Sequence, residues 1–103
     1  MTIKGTHNGD LQVSQRLEIL GTVIGSVVVV NSGNLELKGT ILGRCEVQIG
    51  GKATIQGTII GELENYGGAV DVWGVVDKLI DHGENTKSVT HKDSVIKEYA
   101  RED

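Results

Sequence analysis

The chain has 103 residues, of which 15 are glycine, none is proline and only three are aromatic, and its formal net charge is −4. A mildly acidic balance disfavours a nucleic-acid-binding surface, and the single cysteine, Cys45, excludes an internal disulfide and a cysteine-rich zinc site. No apolar run is long enough for a signal region or a membrane span, so we expect a cytoplasmic protein without an integral membrane segment.

A repeated glycine motif organises the chain. GTHNG begins at residue 5, GTVIG at 21, GTILG at 39 and GTIIG at 57, and a degraded copy, GVVDK, begins at 74. A single phosphate-binding loop would not recur at this spacing, and it would be followed by a helical pattern that no copy has. A fixed period near twenty residues is typical of a solenoid.

Apolar residues and glycines alternate with other residues around each motif, which is the pattern of strands with one buried face. One such coil reads Leu17, Ile19, Gly21, Val23, Gly25, Val27 and Val29. The same inward columns begin again at Leu35, Ala53 and Val70, and they extend back to Ile3. We therefore predict an all-β, single-domain parallel β-helix over residues 1–80, with about four coils of about 18 residues.

Glycines and turn residues mark the predicted corners of each coil. The inward pair Gly21 and Gly25 is placed where a strand interior disfavours glycine unless the chain bends or another backbone comes close. NSGN at 31–34 is the matching turn-rich corner. Aliphatic residues also recur every six positions, as in left-handed hexapeptide helices, but the small neighbouring residues of that class are missing, so we expect a right-handed coil.

The outward positions of these coils form two columns. One is a threonine ladder of Thr6, Thr22, Thr40 and Thr58, and the other is an aliphatic stripe of Ile24, Leu42 and Ile60. Val28 and Val30 also face outward in this register. Exposed apolar stripes usually mark an interface, although the C-terminal segment of the same chain is an alternative cover.

Residues 81–103 have a different, polar character and are expected to be either disordered or docked on the solenoid. Within them, SVIKEYARED at 94–103 has the pattern of a short helix, with Ser94 as the N-cap and Val95, Ile96 and Tyr99 on one face.

The coil pattern, as in LKGTILGRCEV and IQGTIIGELEN, resembles that of the bactofilins over about residues 3–80. The resemblance implies a compact right-handed β-helix that polymerises end to end into cytoskeletal filaments without nucleotide.

The ends of a solenoid leave unpaired backbone groups that invite strand addition. Ile3 marks the predicted first edge and Val76 the last, and Trp73 in the last coil faces outward as a partner anchor or a docking point for the C-terminal segment. The candidate interface residues are therefore Ile3, Thr22, Ile24, Val28, Val30, Thr40, Leu42, Thr58, Ile60, Trp73 and Val76.

The polar residues do not form a recognisable reactive site. His7 occupies an inward column and is interpreted as a core histidine, Cys45 as a small buried hydrophobe, and His82 and His91 as members of a solvated segment. No threonine has an aligned histidine to act as a base. We therefore expect no catalytic residue, cofactor, metal or small-molecule substrate, and the protein is not expected to be an enzyme.

Three functions remain open. The leading one is a structural protein that associates with itself, as a homo-oligomer or filament, through the solenoid ends or the aliphatic stripe. The alternative is a small acidic binding protein, such as an immunity protein or a phage-encoded inhibitor, that occludes a partner protein. The third is ice binding by the array of Thr-x-aliphatic tripeptides, which begin at Thr22, Thr40 and Thr58.

Overall fold

A computed structural model of the chain describes residues 2–83, 86 and 88–102. Residues 84, 85, 87 and 103 of the polar C-terminal segment lie outside the described residues, as does residue 1 of the solenoid. The described residues contain fifteen strands: β1 Thr2–Ile3, β2 Thr6–Asn8, β3 Leu11–Val13, β4 Arg16–Ile19, β5 Thr22–Ile24, β6 Val27–Val29, β7 Asn34–Leu37, β8 Thr40–Leu42, β9 Cys45–Val47, β10 Lys52–Ile55, β11 Thr58–Asn65, β12 Ala69–Val72, β13 Val75–His82, β14 Val89–Thr90 and β15 Val95–Glu102.

All of these strands pair in parallel with the strand one coil away. One sheet has the order β1-β4-β7-β10-β12-β14. The other joins β2-β5-β8 and β3-β6-β9 to the long strand β11, and β13 and β15 follow in turn. Thr58 is aligned with Thr40, and Thr40 with Thr22, so successive coils are 18 residues apart. The prediction of an all-β parallel solenoid with coils of about 18 residues is confirmed.

The core is a narrow stack of aliphatic side chains inside the coils. Most inward positions of the middle coils are aliphatic, as where Val23, Ile41 and Ile59 follow one another in register, all of them fully buried. Burying aliphatic side chains on both sides of such a lumen stabilises the fold by roughly 1.5–3 kcal/mol for each large side chain, before entropy is counted. Because the lumen is thin, β-branched and leucine side chains fill it without phenylalanine.

The corner glycines have two different physical causes. Gly57 lies against the coil before it, so that a Cβ atom at this position would collide with the carbonyl oxygen of Gly39. Gly61 has a φ of +145°, a backbone conformation that other residues rarely adopt. In the GTVIG, GTILG and GTIIG copies, both glycines permit a close approach of two backbones, and the second also permits the bend.

The prediction of a short helix over residues 94–103 is wrong. Residues 95–102 form β15, which pairs with β13 and aligns Ile96 with Val76. An isolated helix of this length is marginal in water, whereas the edge of β13 offers backbone partners along eight residues. β14 likewise adds to β12, so the solenoid has about five turns rather than the expected four.

The contacts of β15 show whether this strand covers the aliphatic stripe. The strand stacks on the edge of β13, and only Ile96 of its apolar residues packs against the core. Val95 and Tyr99 remain about half exposed. The described residues of the C-terminal segment therefore extend the solenoid and leave the stripe uncovered.

Candidate interaction surfaces

The aliphatic stripe is a flat patch on the outer face of the second sheet. Ile24, Leu42 and Ile60 stand side by side in register and are 45%, 37% and 50% exposed. Neighbouring parallel strands are about 4.8 Å apart, so the three side chains span roughly 10 Å. Asn8 is aligned with Ile24 at one end of the stripe, which is therefore limited to the middle coils.

The threonine ladder runs beside this stripe. Thr22, Thr40 and Thr58 are aligned on adjacent strands, as predicted, and each is half-buried. The next position of the ladder, in β13, is Val75, which is β-branched like threonine but has no hydroxyl group. The Thr-x-aliphatic array is thus regular over three coils and ends at β13.

Val28 and Val30 do not extend the stripe. Both are half-buried, and Val28 lies between Gln12 and Glu46 in its column. The column of Val28 becomes polar in the next two coils, at Glu46 and Glu64, so it does not form an apolar patch.

Trp73 contacts the C-terminal segment. Its ring stacks on that of His91, with ring centroids 3.5 Å apart and planes within 5° of each other. The indole remains 48% exposed on its other side. Of the two predicted roles for Trp73, the structure shows the docking contact within the chain.

Val76 is not at an end of the solenoid, and its assignment as an edge residue is wrong. It is fully buried, aligned with Ile59 on one side and with Ile96 on the other. The reason is that β15 adds one more strand beyond β13.

Within the described residues, the edge of the first coil is unpaired and partly apolar. Among the described strands, β1, β2 and β3 pair only with β4, β5 and β6, on one side. Ile3 and Leu11 are partly buried and pack against the core. An opening of ≈ 220 Å³ leads past them towards Val13 and Leu17. This edge therefore offers backbone groups around an apolar interior.

One inward column becomes polar in the last coils. Asp81 is fully buried in the column that holds Val29 and Val47 in earlier coils. Its carboxylate accepts hydrogen bonds from the Ser88 hydroxyl and the Tyr99 hydroxyl, both at 2.6 Å.

Asn65 and Arg101 make further hydrogen bonds to the polar segment. Asn65 donates to the Ser88 hydroxyl at 3.1 Å and accepts bonds from the N–H groups of Gly67 and Gly68. Arg101 donates to the carbonyls of Gly83 and Thr86, at 2.8 and 2.6 Å. These bonds hold the polar segment against the end of the core.

A second polar cluster lies on the outer face near the same corner. The buried carboxylate of Glu64 pairs with Arg44 and contacts His82 at 2.9 Å. The ring of Tyr66 stacks on that of His82, with centroids 4.1 Å apart. Partial burial of the phenol and the nearby charge of Glu64 raise the pKa of Tyr66. The cluster joins three successive coils but brings no nucleophile to the histidine.

Sequence reasoning missed both polar clusters. The only local signal was the change of one inward column from valine to Asn65 and then Asp81. The partners Ser88, Tyr99 and Arg101 come from the segment that was expected to be either disordered or docked on the solenoid, so the spacing of residues did not predict these contacts.

The predicted roles of Cys45 and His7 agree with their positions. Cys45 is fully buried, and this burial raises the pKa of its thiol to about 12, with the nearby charge of Glu46 as a smaller cause. His7 is partly buried in the inward column next to Val23.

Comparison of the chain with known proteins gives no match to a protein-family model, a curated protein or a solved structure. Within residues 2–83, 86 and 88–102, no three His, Cys, Asp or Glu side chains are placed to hold a metal ion, and no helix is long and apolar enough to cross a membrane. The β-helix fold is shown, and its resemblance to the bactofilins rests on the coil motif alone.

Proposed function

We propose that this protein is a non-enzymatic structural protein that associates with itself through the ends of its β-solenoid. The observation that carries the proposal is the first-coil edge, which consists of β1, β2 and β3. It combines unpaired backbone groups with two partly buried aliphatic side chains, Ile3 and Leu11.

A covered first-coil edge is more favourable than a free one. An exposed row of strand N–H and C=O groups is a template for another strand, and natural proteins usually block or pair such rows. The first-coil edge follows a three-sided path, so a single added strand could pair with only one of its sides. A second solenoid end follows the same path and would also bury Ile3 and Leu11.

The bactofilin resemblance supports the same class of function. Bactofilin-like polymerisation would need association at both solenoid ends, whereas this proposal requires only the first-coil edge. A cytoplasmic location is part of the proposal rather than of the fold.

Light scattering coupled to size-exclusion chromatography tests the proposal. From about 10 μM to 1 mM, we expect the average mass to rise, and Ile3→Asp to weaken association at least tenfold by placing a charge in the edge. Ile49→Asp is the matched control, because Ile49 is 74% exposed on a different corner. Circular dichroism melts confirm that both variants fold. A wild-type protein that stays monomeric at 1 mM overturns the proposal.

The aliphatic stripe supports a second candidate function, the occlusion of a partner protein. Three adjacent, half-exposed aliphatic side chains on a rigid sheet match the apolar centre of a binding surface. Under this candidate, the acidic solenoid would present Ile24, Leu42 and Ile60 to an apolar patch of the partner.

A further inference from the structure

We propose that two copies of the chain join through their first-coil edges around a two-fold axis at His7, which gives a closed dimer. The inference rests on the proposed self-association and adds the partner, the register and the stoichiometry. It follows from the backbone hydrogen bonds, the inward side chains and the outward charges of residues 2–13.

Backbone directions at the first-coil edge allow this register. The N–H groups of Gly9 and Leu11 donate to carbonyls of the second coil at 3.0 and 2.8 Å, and the carbonyl of Gly5 accepts a bond from Thr22. Odd-numbered residues thus bond to the second coil, and the backbone groups of even-numbered residues point to the free edge. An antiparallel pairing in which the two residue numbers sum to 14 matches even residues with even residues, as mutual hydrogen bonding requires.

The inward residues of the first coil are nearly symmetric about His7. They read Ile3, Gly5, His7, Gly9 and Leu11, with φ values of +79° and +116° at the two glycines. The two-fold axis therefore places the corner residue Gly5 against the partner's Gly9. It places the aliphatic side chain of Ile3 against the partner's Leu11. It also places β1 opposite the partner's β3, so that the three-sided paths coincide.

The outward charges of the same coil are complementary in this register. Lys4 lies opposite the partner's Asp10, and the symmetry repeats the pair on the other side. Both side chains are exposed, and Lys4 has no ion-pair partner within the described part of the chain. Asp10 accepts a bond from the Ser26 N–H through one oxygen only, which leaves the other oxygen for the lysine.

A head-to-tail stack is less favourable on the same grounds. If the next copy continued the coil register beyond β15, Asp10 would join the column of Glu62, Lys78 and Glu98, and would stand beside Glu98. Four of the eight residues of β15 are charged, which is a common way for an edge strand to resist pairing. In the same stack, the polar side chains of Tyr99 and Arg101 would stand beside Leu11 and Val13 of the next copy.

A single cysteine at the axis gives the sharpest test. His7→Cys places two thiols on directly opposed residues of a non-hydrogen-bonded pair, where the Cα atoms are about 4.5 Å apart, within the range of a disulfide. Under mild oxidation we expect nearly complete covalent dimers on non-reducing gels. Thr40→Cys is the control, because it lies in the middle of the outer face and should give few or none. The native Cys45 is buried, so it should not compete for the disulfide.

Charge exchange tests the register independently. Lys4→Asp and Asp10→Lys should each weaken dimerisation roughly five- to tenfold in sedimentation equilibrium, because each puts like charges opposite one another twice. The double variant should recover to within about threefold of the wild type. Lys52→Asp, a charge reversal in β10, should change the dissociation constant less than twofold.

The outcomes separate the inference from the proposed function. A self-associating protein in which His7→Cys does not cross-link, or in which the double exchange fails to rescue, contradicts the two-fold register while self-association stands. Open filaments by electron microscopy also overturn the closed dimer. A strictly monomeric wild type overturns both.

Discussion

At the scale of single residues, the corner glycines determine how closely two coils can stack. Gly39, Gly57 and Gly74 form a column in which each α-carbon faces the carbonyl oxygen of the glycine one coil before it. The threonine after each of the first two donates its N–H across the same corner, as Thr58 does to Gly39 at 2.9 Å. A side chain at this position would therefore separate the backbones where they bond.

We predict that Gly57→Ala lowers the free energy of unfolding by about 3 kcal/mol or more, because the added methyl group meets backbone and not a movable side chain. Gln56→Ala is the control; Gln56 is exposed on the adjacent position, and its replacement should cost less than about 0.5 kcal/mol. Urea unfolding followed by circular dichroism measures both. Equal stabilities for the two variants would show that the coils can separate at this corner without cost.

At the scale of elements, the last strand is held by backbone pairing and by one buried carboxylate. β15 aligns with β13 over its length, and the Tyr99 hydroxyl donates a hydrogen bond to the Asp81 carboxylate at 2.6 Å. The bond from Tyr99 to Asp81 is the main reason that the pKa of Tyr99 is raised, with burial second. The neutral phenol is thus the form that stabilises the strand.

We predict that Tyr99→Phe destabilises the protein by about 1–2 kcal/mol, since it removes a donor from a buried carboxylate. Because the folded-state pKa of Tyr99 is raised, this contribution is complete below about pH 10, the ordinary tyrosine pKa, and is lost as the pH rises through the folded-state value. Tyr66→Phe is the control with a smaller loss, because Glu64 keeps Arg44 and His82. Denaturant titrations at neutral and strongly alkaline pH measure the difference, and a Tyr99→Phe variant as stable as Tyr66→Phe at neutral pH contradicts it.

At the scale of the whole molecule, the two candidate surfaces point in different directions. The stripe of Ile24, Leu42 and Ile60 faces sideways from the middle coils, whereas the first-coil edge lies at one end of the stack. A charge on the stripe is therefore far from the surface that we assign to self-association.

We predict that Leu42→Glu leaves the self-association constant within about twofold of the wild type and changes the free energy of unfolding by less than about 1 kcal/mol. Sedimentation equilibrium and urea unfolding measure the two quantities. Loss of self-association in this variant, with the fold intact, would show that the interface is the stripe and not the solenoid end.

The sequence by itself determined the inward columns, the corner positions and the coil length. Side-chain direction alternates along a strand, so the local pattern from Leu17 to Val29 predicts which residues are buried without knowledge of any partner. The glycine motif then sets the period, and the period places Ile24, Leu42 and Ile60 together on the outside.

Only the tertiary structure decided the fate of the C-terminal segment and the polar clusters. Residues 95–102 have a helix-like pattern of apolar residues, but they become a strand because the edge of β13 supplies backbone partners in three dimensions. The same pairing buries Val76, brings Tyr99 and Ser88 to Asp81, and leaves the first-coil edge as the apolar end. Such contacts depend on which edge is free once the other coils have stacked, and no local periodicity carries that information.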